Sequence, residues 1–144
     1  MTNPQTRAVG PIDHVAVVVR SISDSLPAYH RLFGYVPSGP IIDLPVQGAR
    51  VCFLASGPLP AARLELVEPV APGTGLARFL ASRGEGLHHV CLRTTDLVAD
   101  LDRLAAEDVE LINRQPRPGA GGQVAFIHPH ALNGVLWELS EETP

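Results

Sequence analysis

The sequence predicts an α+β fold in which one module, made of a strand, a helix and three further strands, occurs twice. The first observation is an internal repeat: residues 12–26 match residues 87–101, and in each copy a histidine opens an apolar strand and a polar cap then starts a helix. The second is a pair of short apolar strands, around Glu65 and Glu138, at nearly equal distances after the two copies. Helices on one side of each four-stranded sheet would leave the other side free to curve around a cavity between the modules.

The first module covers about residues 10–70. A strand is predicted over 12–19, followed by a helix that begins in the Ser-rich segment 21–25 and ends at Gly34. Three strands follow near 35–43, 50–54 and 62–68, and the first of these is an edge strand because Pro37 and Pro40 interrupt it.

The second module, about residues 86–140, repeats this order. A Pro- and Gly-rich linker near 69–75 and a short helix over 76–82 lead into it. A strand is predicted over 87–93, and a helix over 96–108 carries Leu97, Leu101 and Leu104 as its apolar stripe. Strands are predicted near 109–113, 123–128 and 134–139. Each repeat is too short to bury a stable core alone, so residues 1–144 are expected to form a single domain.

The composition and charge of the chain argue against several classes of function. The net charge is -4, and the absence of a basic cluster argues against nucleic acid as a partner. No apolar run is long enough for a membrane span, and the polar first seven residues lack an apolar signal segment, so a cytoplasmic protein is expected. All eleven basic residues are arginine, which excludes Schiff-base chemistry and a lysine base. Cys52 and Cys91 lie in predicted strands and are expected to be core residues.

Four residues of the repeat predict a metal site. His14 and His89 are equivalent, and Glu65 and Glu138 follow them by 51 and 49 residues. An ionised carboxylate among apolar residues is costly unless it is paired or binds a cation. Two histidines and two glutamates suit Zn, Ni, Co, Mn or Fe(II) about equally well. We therefore expect a divalent metal bound by His14, Glu65, His89 and Glu138.

Other interpretations of these residues stay open at this point. A single histidine on an apolar strand is more often a hydrogen-bonded structural residue than a ligand. Arg63 lies two residues from Glu65 on the same face and could pair with it. Because side chains alternate across a strand, only one of His88 and His89 can face the cavity, and the repeat selects His89.

The motifs resemble the vicinal oxygen chelate superfamily (glyoxalase/bleomycin resistance/dioxygenase), and within it the methylmalonyl-CoA epimerase family. The resemblance covers nearly the whole chain from Ile12 to Leu139. It is most specific in the segments 12–16, 64–69, 77–80, 83–89, 116–122, 126–129 and 134–139.

This resemblance implies a paired βαβββ fold, a homodimer, and a divalent metal at His14, Glu65, His89 and Glu138. It also implies an isomerase that removes and returns a proton next to a thioester carbonyl, with a CoA thioester as substrate. Some family members carry a glutamate base where this chain has Val51, and a lysine where it has His130. With Val51 unable to act, Glu138 and Glu65 are the expected catalytic residues, one for each face of the substrate.

Three rival functions fit the same fold. The set of two histidines and two glutamates also resembles bacterial-type glyoxalase I (lactoylglutathione lyase). His14, His89 and Glu138 alone would form the triad of an extradiol-type dioxygenase, although Glu65 would fill a position that oxygen and catechol need. A metal-free ligand-sequestering resistance protein predicts an apolar cavity without ligand residues, whereas all four ligand positions are filled here.

Overall fold

The computed structural model describes residues 9–58 and 61–143, which form two compact units. One unit runs from Asp13 to Cys91, and the other joins the described residues up to Ile12 with those from Leu92 onward. The polar first seven residues, on which the expected location partly depends, lie outside the described residues. None of the helices in the described part of the chain has the length and apolarity that a membrane span needs.

The elements up to β6 follow the predicted order of the first module and the linker helix. β1 is parallel to β5, β4 is antiparallel to β5, and β2 and β3 are both antiparallel to β4. β6 lies next to β1 in the sheet. The bounds are β1 Ile12–Val18, α1 Ile22–Phe33, β2 Val36–Pro37, β3 Ile42–Leu44, β4 Ala49–Ala55, β5 Arg63–Pro69, α2 Gly75–Arg83 and β6 Gly86–Arg93.

The ends of α1 have clear local causes. The Ser21 hydroxyl accepts a hydrogen bond from the Asp24 N–H, which satisfies one of the donors that the first turn leaves open. Gly34 adopts φ +71°, a left-handed conformation that costs glycine little, and so closes the helix. Beyond it, the predicted edge strand over 35–43 is divided into the short strands β2 and β3, because proline cannot donate to a ladder.

One face of the sheet in this unit forms a helix-side core. Ile22 of α1 packs against the fully buried Leu54 and Leu66 of neighbouring strands, and Cys52 belongs to the same cluster. Because side chains alternate along a strand, the residues between them project to the opposite face. The helix therefore secures the sheet from one side and leaves the face that carries His14 and Glu65 for other contacts.

The two cysteines are core residues, as the sequence predicts. Cys52 and Cys91 are free and buried, and burial raises the pKa of the Cys52 thiol. Since the thiolate is the reacting species, we expect neither cysteine to react with a disulfide reagent at neutral pH in the folded protein. Both should react after denaturation. Rapid modification of the native chain would contradict this assignment.

The unit from Leu92 onward contains α3 and the strands β7 to β9. α3 spans Leu97–Ala106 and begins at Asp96, whose carboxylate accepts from the Ala99 N–H. β8, Gly122–Ile127, is antiparallel both to β7, Arg117–Pro118, and to β9, Trp137–Glu142. Leu97 and Leu101 pack with Ala125 and Leu139 to form the core of this unit. The α+β class and the predicted kinds of element are confirmed.

Two strand predictions in this unit are wrong. Residues 109–113 form only an isolated bridge between Leu111 and Ile127, because the Asn113 side chain accepts the Phe126 N–H and ends the ladder. The last strand begins at Trp137 instead of near Gly134. Asn133 and Gly134 both have positive φ, which keeps this segment in a turn.

Candidate metal centre

Strand pairing brings the predicted ligand residues of β1 and β5 to one face. In the parallel pair of β1 and β5, His14 is opposite Arg63 and Ala16 is opposite Glu65, so His14 and Glu65 are diagonal neighbours. Phe53 of β4 is opposite Glu65 on the other side. The register therefore places a histidine, a carboxylate and an aromatic ring side by side.

Three of the four predicted ligands converge. Nε2 of His14 and Nε2 of His89 each lie 3.5 Å from the same atom, Oε1 of Glu65. The two imidazole rings are 5.5 Å apart, centroid to centroid, and nearly perpendicular. All three residues are buried, with exposures of 4%, 8% and 6% for His14, His89 and Glu65.

The two distances from Glu65 Oε1 to the histidine nitrogens fit a bound cation. Two ligand atoms that lie about 2.1 Å from a tetrahedral metal are roughly 3.4 Å apart. The separations of 3.5 Å are close to that value. They are longer than the roughly 2.7–2.9 Å of a charge-assisted hydrogen bond. Neutral imidazole nitrogens and a carboxylate oxygen are also the donors that Zn and its neighbours in the first transition series prefer.

Asp13 orients His14, a role that the sequence analysis missed. Asp13 Oδ2 lies 2.6 Å from Nδ1 of His14, so the ring donates its Nδ1–H to this carboxylate. The proton is thereby held on Nδ1, which leaves the lone pair of Nε2 directed toward Glu65. A carboxylate directly before a candidate ligand histidine is the sequence signal that could have identified it.

Arg63 pairs with Asp13, which differs from the pairing with Glu65 that the sequence left open. Its Nη2 donates to Asp13 Oδ2 at 3.0 Å, and its guanidinium lies 4.0 Å from the centroid of the Phe53 ring. Phe53 in turn packs edge-on against His14 at 5.2 Å. The arginine therefore balances the charge of the orienting carboxylate.

His88 contacts His89 from the side. Its Nδ1 lies 2.8 Å from Nδ1 of His89, and its ring packs at 5.1 Å against Phe79 of α2. The ring of His88 therefore lies against a helix. It also gives His89 a hydrogen-bonding neighbour that sequence alternation did not predict.

Glu138, the fourth predicted ligand, belongs to the other unit. It lies in β9 opposite Phe126 of β8 and is 7% exposed. Its burial fits the expectation of a carboxylate held inside the protein, and its part in a metal site stays a prediction.

Other motifs have ordinary structural explanations. The Gly-rich segment 118–122 forms a hairpin turn, closed by the hydrogen bond from the Gly119 N–H to the Gly122 carbonyl. His130, at the position of the family's lysine, is exposed in a short 3-10 turn, and its N–H donates to Nδ1 of His128. Val51 is buried in β4, opposite Val67.

Comparison with known families decides the identity of the fold. Residues 13–126 match the glyoxalase/bleomycin resistance protein/dioxygenase superfamily. The chain belongs to this superfamily. The family resemblance stated from the motifs is therefore confirmed.

Several similar proteins carry epimerase names. An ethylmalonyl-CoA/methylmalonyl-CoA epimerase of Cereibacter sphaeroides is 32% identical over 92% of this chain and 98% of its own. The structure of methylmalonyl-CoA epimerase from Mycobacterium tuberculosis matches with a TM-score of 0.89 and 33% identity over 97% of this chain and 93% of its own. A methylmalonyl-CoA epimerase in complex with methylmalonyl-CoA and an ammonium ion matches with a TM-score of 0.86 and 28% identity, over 95% of this chain and 100% of its own.

Proposed function

We propose that this superfamily member is a metal-dependent epimerase that moves a proton on the carbon next to a thioester carbonyl. Methylmalonyl-CoA is the best candidate substrate. The observation that carries the proposal is the convergence of two imidazole nitrogens on one carboxylate oxygen. The names of the similar epimerases support the choice of a CoA thioester.

His14, Glu65 and His89 would hold the metal, with Glu138 as the proposed fourth ligand. A divalent cation, when bound, stabilises the negative charge that develops on the oxygen of an enolate. The donor set suits Co, Mn, Zn, Ni or Fe(II), and the proposal extends to any of these. Asp13 contributes by holding the His14 ring in the tautomer that presents Nε2.

Glu65 is proposed as one of two proton carriers. Inversion requires that a proton leave one face of the carbon and that another return on the opposite face. Val51, where some family members carry a glutamate base, has only hydrocarbon and accepts no proton. Glu65 has a carboxylate in the same cluster as both histidines, so it is the candidate that this chain offers for that face.

Glu138 is proposed as the second proton carrier. It is equivalent to Glu65 in the internal repeat, and both carboxylates are buried. In the proposed reaction one glutamate removes the proton and the other returns one, and the roles exchange for the reverse direction. Phe53 packs against His14 on the Glu65 side and provides an apolar surface there that limits the access of water.

The experiment that tests this function follows deuterium during turnover. Purified protein, analysed for bound metal, is incubated in heavy water with one epimer of methylmalonyl-CoA. We expect formation of the other epimer together with one deuterium at the α-carbon, at rates far above those of a chelator-treated sample. Metal-loaded protein that neither exchanges the hydrogen nor forms the other epimer would overturn the proposal.

Glyoxalase I is the second candidate, because Glu65 is a carboxylate in contact range of both histidines. It is tested by assaying the hemithioacetal of methylglyoxal and glutathione beside the acyl-CoA. Turnover of the hemithioacetal alone would favour it. The position of Glu65 argues against an extradiol dioxygenase, and the polar cluster argues against a metal-free resistance protein.

The proposal includes a homodimer in the cytoplasm, as the family resemblance and the composition lead us to expect. Light scattering of the purified protein measures its oligomeric state. A mass of one chain of 15.3 kDa would contradict the dimer.

A further inference from the structure

The residue that precedes each ligand histidine contacts that histidine's Nδ1. The repeat aligns Asp13 with His88 in the same way as it aligns His14 with His89. In the first copy a carboxylate oxygen lies 2.6 Å from Nδ1 of the following histidine. In the second copy an imidazole nitrogen lies 2.8 Å from it. The residue at this position therefore contacts Nδ1 of the next histidine in both modules, through a carboxylate in the first and through an imidazole in the second.

Only one arrangement of protons at the contact between His88 and His89 leaves a lone pair on Nε2 of His89 for a cation. Both atoms at the contact are Nδ1, so one of them must carry the hydrogen and the other must accept it. If His89 donates, its Nε2 keeps a lone pair, and this atom lies 3.5 Å from Glu65 Oε1 together with Nε2 of His14. If His88 donates instead, His89 carries its hydrogen on Nε2 and has no lone pair there for a cation.

The surroundings of His88 hold its ring in place for this contact. Phe79 of α2 packs edge-on against it with centroids 5.1 Å apart, and His88 is partly buried. The contact with Phe79 therefore restricts the motion of the His88 ring. A restricted acceptor loses less entropy when the hydrogen bond forms than a mobile one would.

We propose that His88 is a positioning residue that accepts the Nδ1–H of His89 and so presents Nε2 of His89 to the metal. This inference rests on the metal centre of the proposed function. It also implies a chemical difference between the two histidines of the centre. His14 is oriented by a charged carboxylate, and His89 is oriented by a neutral imidazole. A carboxylate makes its histidine partner more basic than a neutral acceptor does, so the His89 side is the weaker donor.

The first test measures the tautomers in metal-free protein by 15N NMR of the imidazole nitrogens. We expect His14 and His89 to carry hydrogen on Nδ1, and His88 to carry it on Nε2. Hydrogen on Nε2 of His89 in the wild-type protein would overturn the proposal. This measurement depends neither on catalysis nor on metal binding, so it distinguishes a failure of the positioning role from a failure of the epimerase assignment.

The second test compares substitutions of His88 by their affinity for Co²⁺. His88→Phe keeps a ring to pack on Phe79 and removes the acceptor, so we expect a 10- to 100-fold weaker affinity, in the usual range for an outer-shell partner. His88→Asp copies the first module and should bind at least as tightly as the wild type. His30→Ala, on the exposed face of α1, is the matched control and should not change the affinity.

A purely structural role for His88 predicts a different pattern. His88→Phe would then behave as wild type, and His88→Asp, which loses the ring, would be the weaker variant. Either result in a folded protein overturns the proposal. If one of the variants does not fold, the tautomer of His89 in the wild type still decides.

Discussion

His14→Ala and His89→Ala are each expected to abolish metal binding. Each substitution removes an imidazole nitrogen that lies 3.5 Å from Glu65 Oε1, and alanine offers no replacement donor. The affinity should fall by more than about 100-fold, beyond the range for outer-shell residues. The measurement is metal content per chain after dialysis, with one ion expected for the wild type and none for either variant.

His88→Ala is the informative control for this prediction. It should still bind one ion per chain at saturating metal, with lower affinity, because it removes the proposed orienting group and keeps the donor. If His88→Ala emptied the site while His89→Ala kept the metal, the repeat alignment and the assignment of the ligand histidine would both be wrong.

Glu65→Gln is expected to keep the metal and lose inversion. The amide oxygen can still coordinate a cation, whereas the amide does not accept a proton as a carboxylate does. General acid–base catalysis contributes about 10²- to 10⁴-fold, so formation of the other epimer should fall by that order. Glu138 would still remove and return a proton on its own face. One epimer of methylmalonyl-CoA should therefore exchange its α-hydrogen with heavy water without conversion.

The test compares the effect of the substitution on two rates, the exchange of the α-hydrogen and the inversion of the epimer. Mass spectrometry gives the deuterium content of the substrate, and chiral analysis gives the epimer ratio. A role for Glu65 only as a ligand or in structure predicts that both rates fall together or that neither changes. Either result with metal still bound would refute the two-glutamate mechanism. Glu107→Gln, on an exposed position after α3, serves as the control.

The sequence predicted the fold because the periodicity of apolar residues located the helices and strands. The alignment of His14 with His89 also selected the member of a histidine pair whose Nε2 lies 3.5 Å from Glu65 Oε1. The convergence of His14, Glu65 and His89 agrees with the ligand set expected for their unit. Errors occurred where a side chain replaced the backbone in a ladder, as Asn113 does, since residue pattern alone does not indicate this competition.

The contacts of Asp13 and His88 with the neighbouring histidines were missed for a different reason. Alternation along a strand suggests that neighbours face opposite sides, so Asp13 and His88 were not expected to contact the rings of His14 and His89. Nδ1, however, is the ring nitrogen nearer to the histidine's own backbone, within reach of the preceding side chain. The pairing of Arg63 with Asp13 instead of Glu65 likewise depends on the register of β1 and β5, which cannot be inferred from the sequence alone.

The proposed ligand His14 and the residue that contacts its Nδ1, Asp13, are neighbours in the chain, and this matters for how a site with internal symmetry can originate. Since Asp13 and His14 are consecutive, duplication of a gene segment for one module would copy a donor together with the group that sets its tautomer. The duplicated protein would have two correctly presented histidines from the first generation, without waiting for a second mutation. A later change at either of the two equivalent positions, 13 or 88, could then adjust one half of the centre without altering the other.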